Sequence, residues 1–132
     1  MKVVAVIPAY NEAERVGPVI RDAKQHVDQV IVVDDGSSDM TAAVAEEAGA
    51  MLLSHAENCG AGAATMTGIE AARNLGAQAV VTLDADGQHD SKDIPALLQP
   101  IIDQKVDMVL ANRFGQRNAI PFIRRLANGI GN

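Results

Sequence analysis

Gln29-Val30-Ile31-Val32-Val33-Asp34-Asp35-Gly36-Ser37-Ser38-Asp39 is the stretch that decides the fold. Four consecutive β-branched residues end abruptly in two carboxylates and a cluster of turn formers. A continuous apolar run, rather than an alternating one, describes a strand buried on both faces, as parallel sheets require. The same signal predicts strands over Lys2–Ile7, Ala50–Ser54, Ala77–Leu83 and Val106–Ala111, with Gln29–Asp34 the second of five. Helical spacing predicts helices over Glu12–His26, Asp39–Ala48, Gly60–Leu75 and Asp93–Asp103. Strand and helix alternate, so the strands pair in parallel through right-handed crossovers and form a layered α/β sheet. The punctuation agrees: Asp39 stands at an N-cap position, Gly49 and Gly76 stand where helices stop, and Asp90 or Ser91 precedes the helix that opens at Ile94 and Pro95.

The 132 residues, 48% of them hydrophobic, suffice for one core. A single domain over 1–132 is expected, with the sheet and its helices in 1–111 and a basic loop and helix in 112–132. The longest apolar runs, Val3–Ile7 and Val30–Val33, fall far short of the roughly 20 residues that cross a bilayer, and the chain opens directly into a strand pattern. Neither a signal peptide nor a spanning helix is expected. The single cysteine, Cys59, excludes an internal disulfide framework and a cysteine-built zinc site, and fits a reducing, cytoplasmic setting. The formal charge of −6 is uneven: no Asp or Glu follows Asp107, so residues 1–107 carry −10 and the remainder, with Arg113, Arg117, Arg124 and Arg125, +4. An acidic body whose only aromatic residues are Tyr10, Phe114 and Phe122 is not a nucleic-acid binder.

In open parallel sheets ligands bind beyond the carboxyl ends of the strands. Those ends read Pro8-Ala9-Tyr10-Asn11-Glu12, Asp34 to Asp39, His55 to Gly62, and Asp84-Ala85-Asp86-Gly87-Gln88-His89. An extended backbone would point Asp84 and Asp86 to the same side, where a hard cation such as Mg²⁺ or Mn²⁺ would relieve their repulsion and could take a further oxygen from Gln88. The plainer reading is an acidic turn that caps the next helix. An EF-hand is excluded, because His89 replaces its glycine and Pro95 its bidentate glutamate. Asp34 and Asp35 suit hydrogen bonds to a base or ribose, whereas Gly36, Ser37 and Asp39 read as turn and cap. Glu12 either opens its helix favourably or joins the ligand edge.

Gly60-Ala61-Gly62-Ala63-Ala64-Thr65 lacks the third glycine of a dinucleotide fingerprint. Its small residues suit close helix packing, and Asn58–Gly62 would let backbone approach a phosphate. Cys59 reads as a small buried or semi-exposed residue, His26 and His55 as structural, and His89 stays open.

Taken in order, Ile7-Pro8-Ala9-Tyr10-Asn11-Glu12, Val32 to Asp39, Asn58-Cys59-Gly60-Ala61-Gly62-Ala63, Asp84 to His89 and Asn112-Arg113-Phe114 resemble glycosyltransferase family 2. Within it, the likeness is to the donor-binding part of the polyprenyl-phosphate sugar transferases of the dolichyl-phosphate mannose synthase type. The resemblance implies a GT-A (Rossmann-like) fold, a mostly parallel sheet flanked by helices on both faces, here cut short on the acceptor side. It implies an inverting transfer from a GDP- or UDP-linked sugar, with Mg²⁺ or Mn²⁺, to a polyprenyl phosphate or other lipid or glycan acceptor. By position, Pro8, Tyr10 and Glu12 resemble the nucleotide-contacting loop and Val33 and Asp35 the base-recognition pair. Asp84, Ala85, Asp86 and Gln88 resemble the metal and sugar-diphosphate segment, and Arg113 the cation on the donor phosphates. The developing charge of the leaving diphosphate is what a metal and an arginine stabilise.

The sequence departs from the family at Ala61, often larger or basic in relatives, and at Leu110-Ala111-Asn112-Arg113, where Gly-Ser-Arg is usual. The family's longer acceptor half usually supplies the carboxylate base, and no residue here matches it; Asp90 and Asp93 are the catalytic candidates. The alternatives are a donor-binding fragment or nucleotide-sugar sensor without transfer, and a haloacid dehalogenase-type phosphatase, whose nucleophile segment Asp84-Ala85-Asp86-Gly87 resembles, although Gln88 replaces its threonine. From Pro121 an amphipathic helix is expected, either a plain surface helix or one whose arginines meet lipid phosphates while Phe122, Ile123 and Leu126 face apolar material. That second form implies a peripheral position at the inner face of the membrane.

Overall fold

The computed structural model describes residues 2–87 and the backbone of Val109–Leu110. Their order is β1 (Val3–Ala9), α1 (Val16–Ala23), β2 (Gln29–Asp34), α2 (Thr41–Glu47), β3 (Met51–Ser54), α3 (Ala61–Asn74), β4 (Ala79–Thr82) and β5 (Val109–Leu110). The five strands form one sheet in the order β3-β2-β1-β4-β5, and every pair is parallel. The segment expected to form the Asp93–Asp103 helix lies outside the described residues, as does the basic segment 112–132.

Two cores follow from the alternation of side chains along each strand. Val3, Ala5, Ile7 and Ala9 of β1 join Val30 and Val32 of β2 and pack against Val16, Ile20 and Ala23 of α1 and Ala45 of α2. Val4 and Val6, with Ile31 and Val33, face the other way onto Ala64, Ile69 and Ala72 of α3. The uninterrupted apolar runs are thus explained: both faces of the central strands are covered. Close approach of α3 depends on Gly68, where a Cβ would collide with Val6 Cγ1 and press within 3.2 Å of Val33 Cγ2.

The three described helices are shorter than the sequence pattern suggests, for identifiable reasons. Helix α1 begins at Val16 rather than Glu12 because Pro18 has no N–H and is tolerated only in the first turn. The Glu12 carbonyl instead accepts the Arg15 and Val16 N–H groups in a preceding turn. Helix α2 begins at Thr41, two residues past Asp39, whose carboxylate accepts the Thr41 N–H from outside the helix. Helices α2 and α3 each end in paired bonds, Gly49 N–H to Glu46 and Ala50 N–H to Ala45, then Gly76 N–H to Arg73 and Ala77 N–H to Ala72, the two-bond ending that frees the chain to turn into the next strand.

Strand β1 runs through Pro8 to Ala9, beyond the expected end at Ile7. The Leu83 N–H bonds to the Val6 carbonyl, so even-numbered backbone groups of β1 face β4. Pairing with β4 stops at Val6↔Thr82, whereas pairing with β2 continues to Ala9↔Asp34. Pro8 therefore sits where no ladder bond is required of it. Past that point β1 and β4 separate, at the position where the strand order reverses and where such sheets leave a crevice.

Candidate functional site

An open cavity of about 330 Å³ occupies this crevice and is lined by Pro8, Ala9, Tyr10, Glu12, Asp35, Asn58, Gly60, Ala61, Ala64, Asp84, Ala85 and Asp86. Seven of the site residues singled out from sequence thus share one wall system: Pro8, Tyr10, Glu12, Asp35, Asp84, Ala85 and Asp86. Val33 is fully buried in the core against α3 and does not line the cavity. Gln88, Asp90, Asp93 and Arg113 lie outside the described residues.

Each wall is held by hydrogen bonds that cross between loops. The loop after β1 offers three consecutive N–H groups to side chains of the loop after β2 and the first residue of α2: Asn11 to Ser37 Oγ at 2.8 Å, Glu12 to Thr41 Oγ1 at 2.9 Å and Ala13 to Asp39 Oδ2 at 3.2 Å. In return the Ser38 N–H donates to Asn11 Oδ1 at 2.9 Å. These bonds hold Asn11 at a φ of 54°, a left-handed conformation that asparagine tolerates better than most residues. The Thr41 hydroxyl donates to Asp39, which also accepts the Thr41 N–H. That hydroxyl bond, with the Thr41 and Ala13 N–H groups, outweighs desolvation and holds the Asp39 carboxyl below its usual range. Asp39 reads from sequence as a cap, whereas the hold of Thr41 and Ser37 on the neighbouring loop has no signal in the spacing.

Asp34 turns back to accept the Ser37 N–H at 3.1 Å. Asp35, 3% exposed, accepts His55 Nδ1–H at 2.7 Å and the Cys59 N–H at 2.9 Å on Oδ1, and the Gly60 N–H at 2.8 Å on Oδ2. Burial pushes this carboxyl up, but the bonds from Cys59, His55 and Gly60 outweigh it and keep it below the ordinary carboxylate range. Asp35 thereby fixes the start of α3. The turn at Gly36, with φ of 79°, passes so close to the following loop that a Cβ there would lie 2.7 Å from Asn58 N.

His55 joins the site through its ring: Nδ1 meets Asp35 and Nε2 lies 2.9 Å from Thr67 Oγ1 on α3. The structural role that the sequence leads one to expect for His55 agrees with these two ring contacts, which also set it against Asp35 of the cavity wall. Its position directly after β3, on the ligand edge, was the available signal.

Asp84 and Asp86 reach the cavity by a different geometry from the one expected. Strand β4 ends at Thr82, and Ala85–Asp86 form a turn rather than extended backbone. Ala85 is buried, while Asp84 and Asp86 are half-buried and line the cavity. Two carboxylates on one wall supply the hard oxygen donors that Mg²⁺ or Mn²⁺ takes, so the donor chemistry fits such a cation. Glu12, its side chain 20% exposed, pairs at 2.8 Å with Arg15, whose side chain is 60% exposed.

Among the described residues, an all-parallel sheet with helices on both faces, a crevice at the reversal of strand order and an acidic edge at that crevice make an α/β domain of the GT-A kind. The chain belongs to glycosyl transferase family 2, whose family model matches residues 4–129. It is 36% identical over 126 residues to the UDP-N-acetylglucosamine–dolichyl-phosphate N-acetylglucosaminyltransferase of Methanococcus voltae, covering 82% of this chain and 50% of that protein. It is 30% identical to the polyprenol monophosphomannose synthase of Mycolicibacterium smegmatis, covering 86% of this chain and 45% of the other. Among solved structures, glucosyl-3-phosphoglycerate synthase from Mycobacterium tuberculosis, in complex with Mn²⁺, UDP and glucosyl-3-phosphoglycerate, superposes with a TM-score of 0.66 at 28% identity, over 76% of this chain and 39% of that one. The chain spans about half the length of the curated relatives it matches. Family membership sets aside the phosphatase alternative. Among the described residues no helix is long and apolar enough to cross a membrane.

Proposed function

We propose that the chain is the donor-binding unit of an inverting glycosyltransferase that takes a nucleotide-diphosphate sugar and a divalent cation and serves a polyprenyl-phosphate acceptor. The observation that carries this reading is the cavity between β1 and β4, where Tyr10, Glu12, Asp35, Asp84 and Asp86 converge. Asp35 contacts the base or ribose, Pro8, Tyr10 and Glu12 frame the nucleotide, and Asp84 and Asp86 hold Mg²⁺ or Mn²⁺, with Gln88 as a further oxygen. Such a cation, when bound, offsets the charge that develops on the leaving diphosphate, and Arg113 adds a second positive group. Asp90 and Asp93 are the candidates for the base. The lipid-phosphate acceptor is supported by the two relatives named above, whose own names specify dolichyl phosphate and polyprenol. It also suits the four arginines after Asp107, which would meet lipid phosphates at the inner face of the membrane. All 132 residues are proposed to act as one such unit.

The test is an assay of the chain with Mn²⁺, a panel of UDP- and GDP-sugars and a polyprenyl phosphate, run beside thermal stabilisation by the same nucleotides. Metal-dependent stabilisation with sugar transfer supports the full reading. Stabilisation without transfer reduces the chain to a donor-binding unit or sensor. Absence of both overturns the proposal.

A further inference from the structure

The geometry points to a second cation site, of different chemistry, behind the first: Asp35, His55 and Cys59 form a binding site for a thiophilic divalent ion such as Zn²⁺. Among the described residues this is the one group in which three potential ligand side chains of carboxylate, imidazole and thiol type come together, their ligand atoms all within 4.8 Å of one another. Zinc bound by one N, one O and one S ligand at its usual bond lengths needs those atoms about 3.3–3.8 Å apart. The Asp35–His55 contact, now 2.7 Å, must open by less than an ångström, and the thiol must swing inward. Cys59 is exposed and its Sγ is engaged only by a 3.3 Å bond to the Glu57 carbonyl, so its rotation is inexpensive.

The surroundings favour ligation. On binding, the thiol releases its proton, and the single ring proton of His55 moves from Nδ1 to Nε2, so that a neutral imidazole presents Nδ1 to the metal. Nε2, which lies 2.9 Å from Thr67 Oγ1, then donates to it. A ring nitrogen held by an outer hydrogen bond while the other faces the metal is the usual arrangement of a histidine ligand. Asp35 retains the Gly60 N–H on its second oxygen. Three protein ligands leave the fourth position to water. Softness separates this site from Asp84 and Asp86, whose oxygen-only donors suit Mg²⁺ or Mn²⁺. Resting on the donor reading above, zinc here occupies the carboxylate that the nucleotide needs, so its binding and that of the nucleotide are antagonistic.

The experiment titrates the full chain, stripped with a chelator, with Zn²⁺ alone, and separately with Co²⁺, whose near-ultraviolet charge-transfer absorption reports a thiolate ligand. The expected result is one equivalent of Zn²⁺ bound, at least tenfold weaker in Cys59→Ser and in His55→Gln and unchanged in Asp84→Asn, with the Co²⁺ band absent in Cys59→Ser. Circular dichroism establishes that each variant is folded. Absence of zinc binding, binding indifferent to Cys59→Ser, or binding lost in Asp84→Asn overturns the site. A nucleotide titration in Mn²⁺, with and without Zn²⁺, reads the antagonism: at least a tenfold weaker nucleotide affinity is expected, and equal affinities overturn it. Failure of the nucleotide to bind under either condition refutes the donor reading instead, and leaves the zinc titration to stand or fall alone.

Discussion

Asp35 and His55, twenty residues apart in sequence, meet at 2.7 Å, and that contact ties the end of β2 to the end of β3. The same carboxylate caps the approach to α3 through the Cys59 and Gly60 N–H groups. One side chain therefore serves both the fold and the cavity.

Substitution of Asp35 should be felt twice. Asp35→Ala should lower nucleotide affinity by roughly 1.5–3 kcal/mol, the worth of a hydrogen bond to a charged group, and should also loosen the start of α3. Calorimetric titration of Asp35→Ala and His55→Gln separates the two effects, because the histidine variant keeps the carboxylate. Undiminished affinity in Asp35→Ala would remove this residue from the ligand's contacts.

Acid should destabilise the protein in part through the same group. The folded state holds the Asp35 carboxyl below its ordinary value of 3.8, so below about pH 5 the unfolded chain binds the proton more readily and stability falls with pH. This contribution is complete above the ordinary carboxylate range and lost as pH drops through the depressed folded value. Asp39 contributes in the same direction. Urea midpoints measured from neutral pH down to about pH 3 should show a shallower acid slope in Asp35→Asn than in the parent, and parallel slopes would contradict the assignment.

The metal role of the Asp84–Asp86 turn predicts a conditional effect. Asp86→Asn should weaken nucleotide binding in the presence of Mn²⁺ at least several-fold and leave binding in a chelator nearly unchanged. Equal losses under both conditions would show that Asp86 acts on the nucleotide or the loop rather than through a cation.

Gly68 should tolerate no side chain cheaply. Gly68→Ala forces a methyl against Val6 and Val33, and overpacking of this kind costs about 1–3 kcal/mol. The denaturation midpoint should fall accordingly, whereas Gly62→Ala, where a Cβ meets nothing within 4 Å, should change it little or raise it.

Thr41→Val keeps shape but removes the acceptor for the Glu12 N–H and the donor to Asp39. A loss of about 1–2 kcal/mol in stability is expected for the orphaned group. Nucleotide affinity should fall as well, because Tyr10 and Glu12 lose their anchor. An affinity equal to the parent's would show that the loop is held without this residue.

The sheet was legible because Val30–Val33 and Val3–Ile7 are apolar without interruption, a pattern that few structures other than a doubly covered parallel strand satisfy. Strand ends and helix starts were less so. Pro18 displaced the start of α1, and pairing with β2 carried β1 on through Pro8 to Ala9, each for reasons of backbone bonding that periodicity does not register. The cavity's acidic residues could be read because they follow strands directly. His55 and Thr67 could not be read as partners, because the contact between a strand end and a helix twelve residues later depends on how α3 settles over Val6 and Val33. The turn at Ala85–Asp86 was likewise invisible to spacing, which assumes that the strand continues.

The three successive N–H groups of Asn11, Glu12 and Ala13, each taken by a side chain between β2 and the start of α2, also bear on binding entropy. A segment ordered by its own chain need not be ordered by its ligand, and about 1–2 kcal/mol per residue of backbone freedom has already been surrendered in folding. The wall that carries Tyr10 and Glu12 is in this sense preorganised. Nucleotide association at that wall should accordingly resemble entry into a standing slot, fast in its on-rate and little dependent on loop rearrangement.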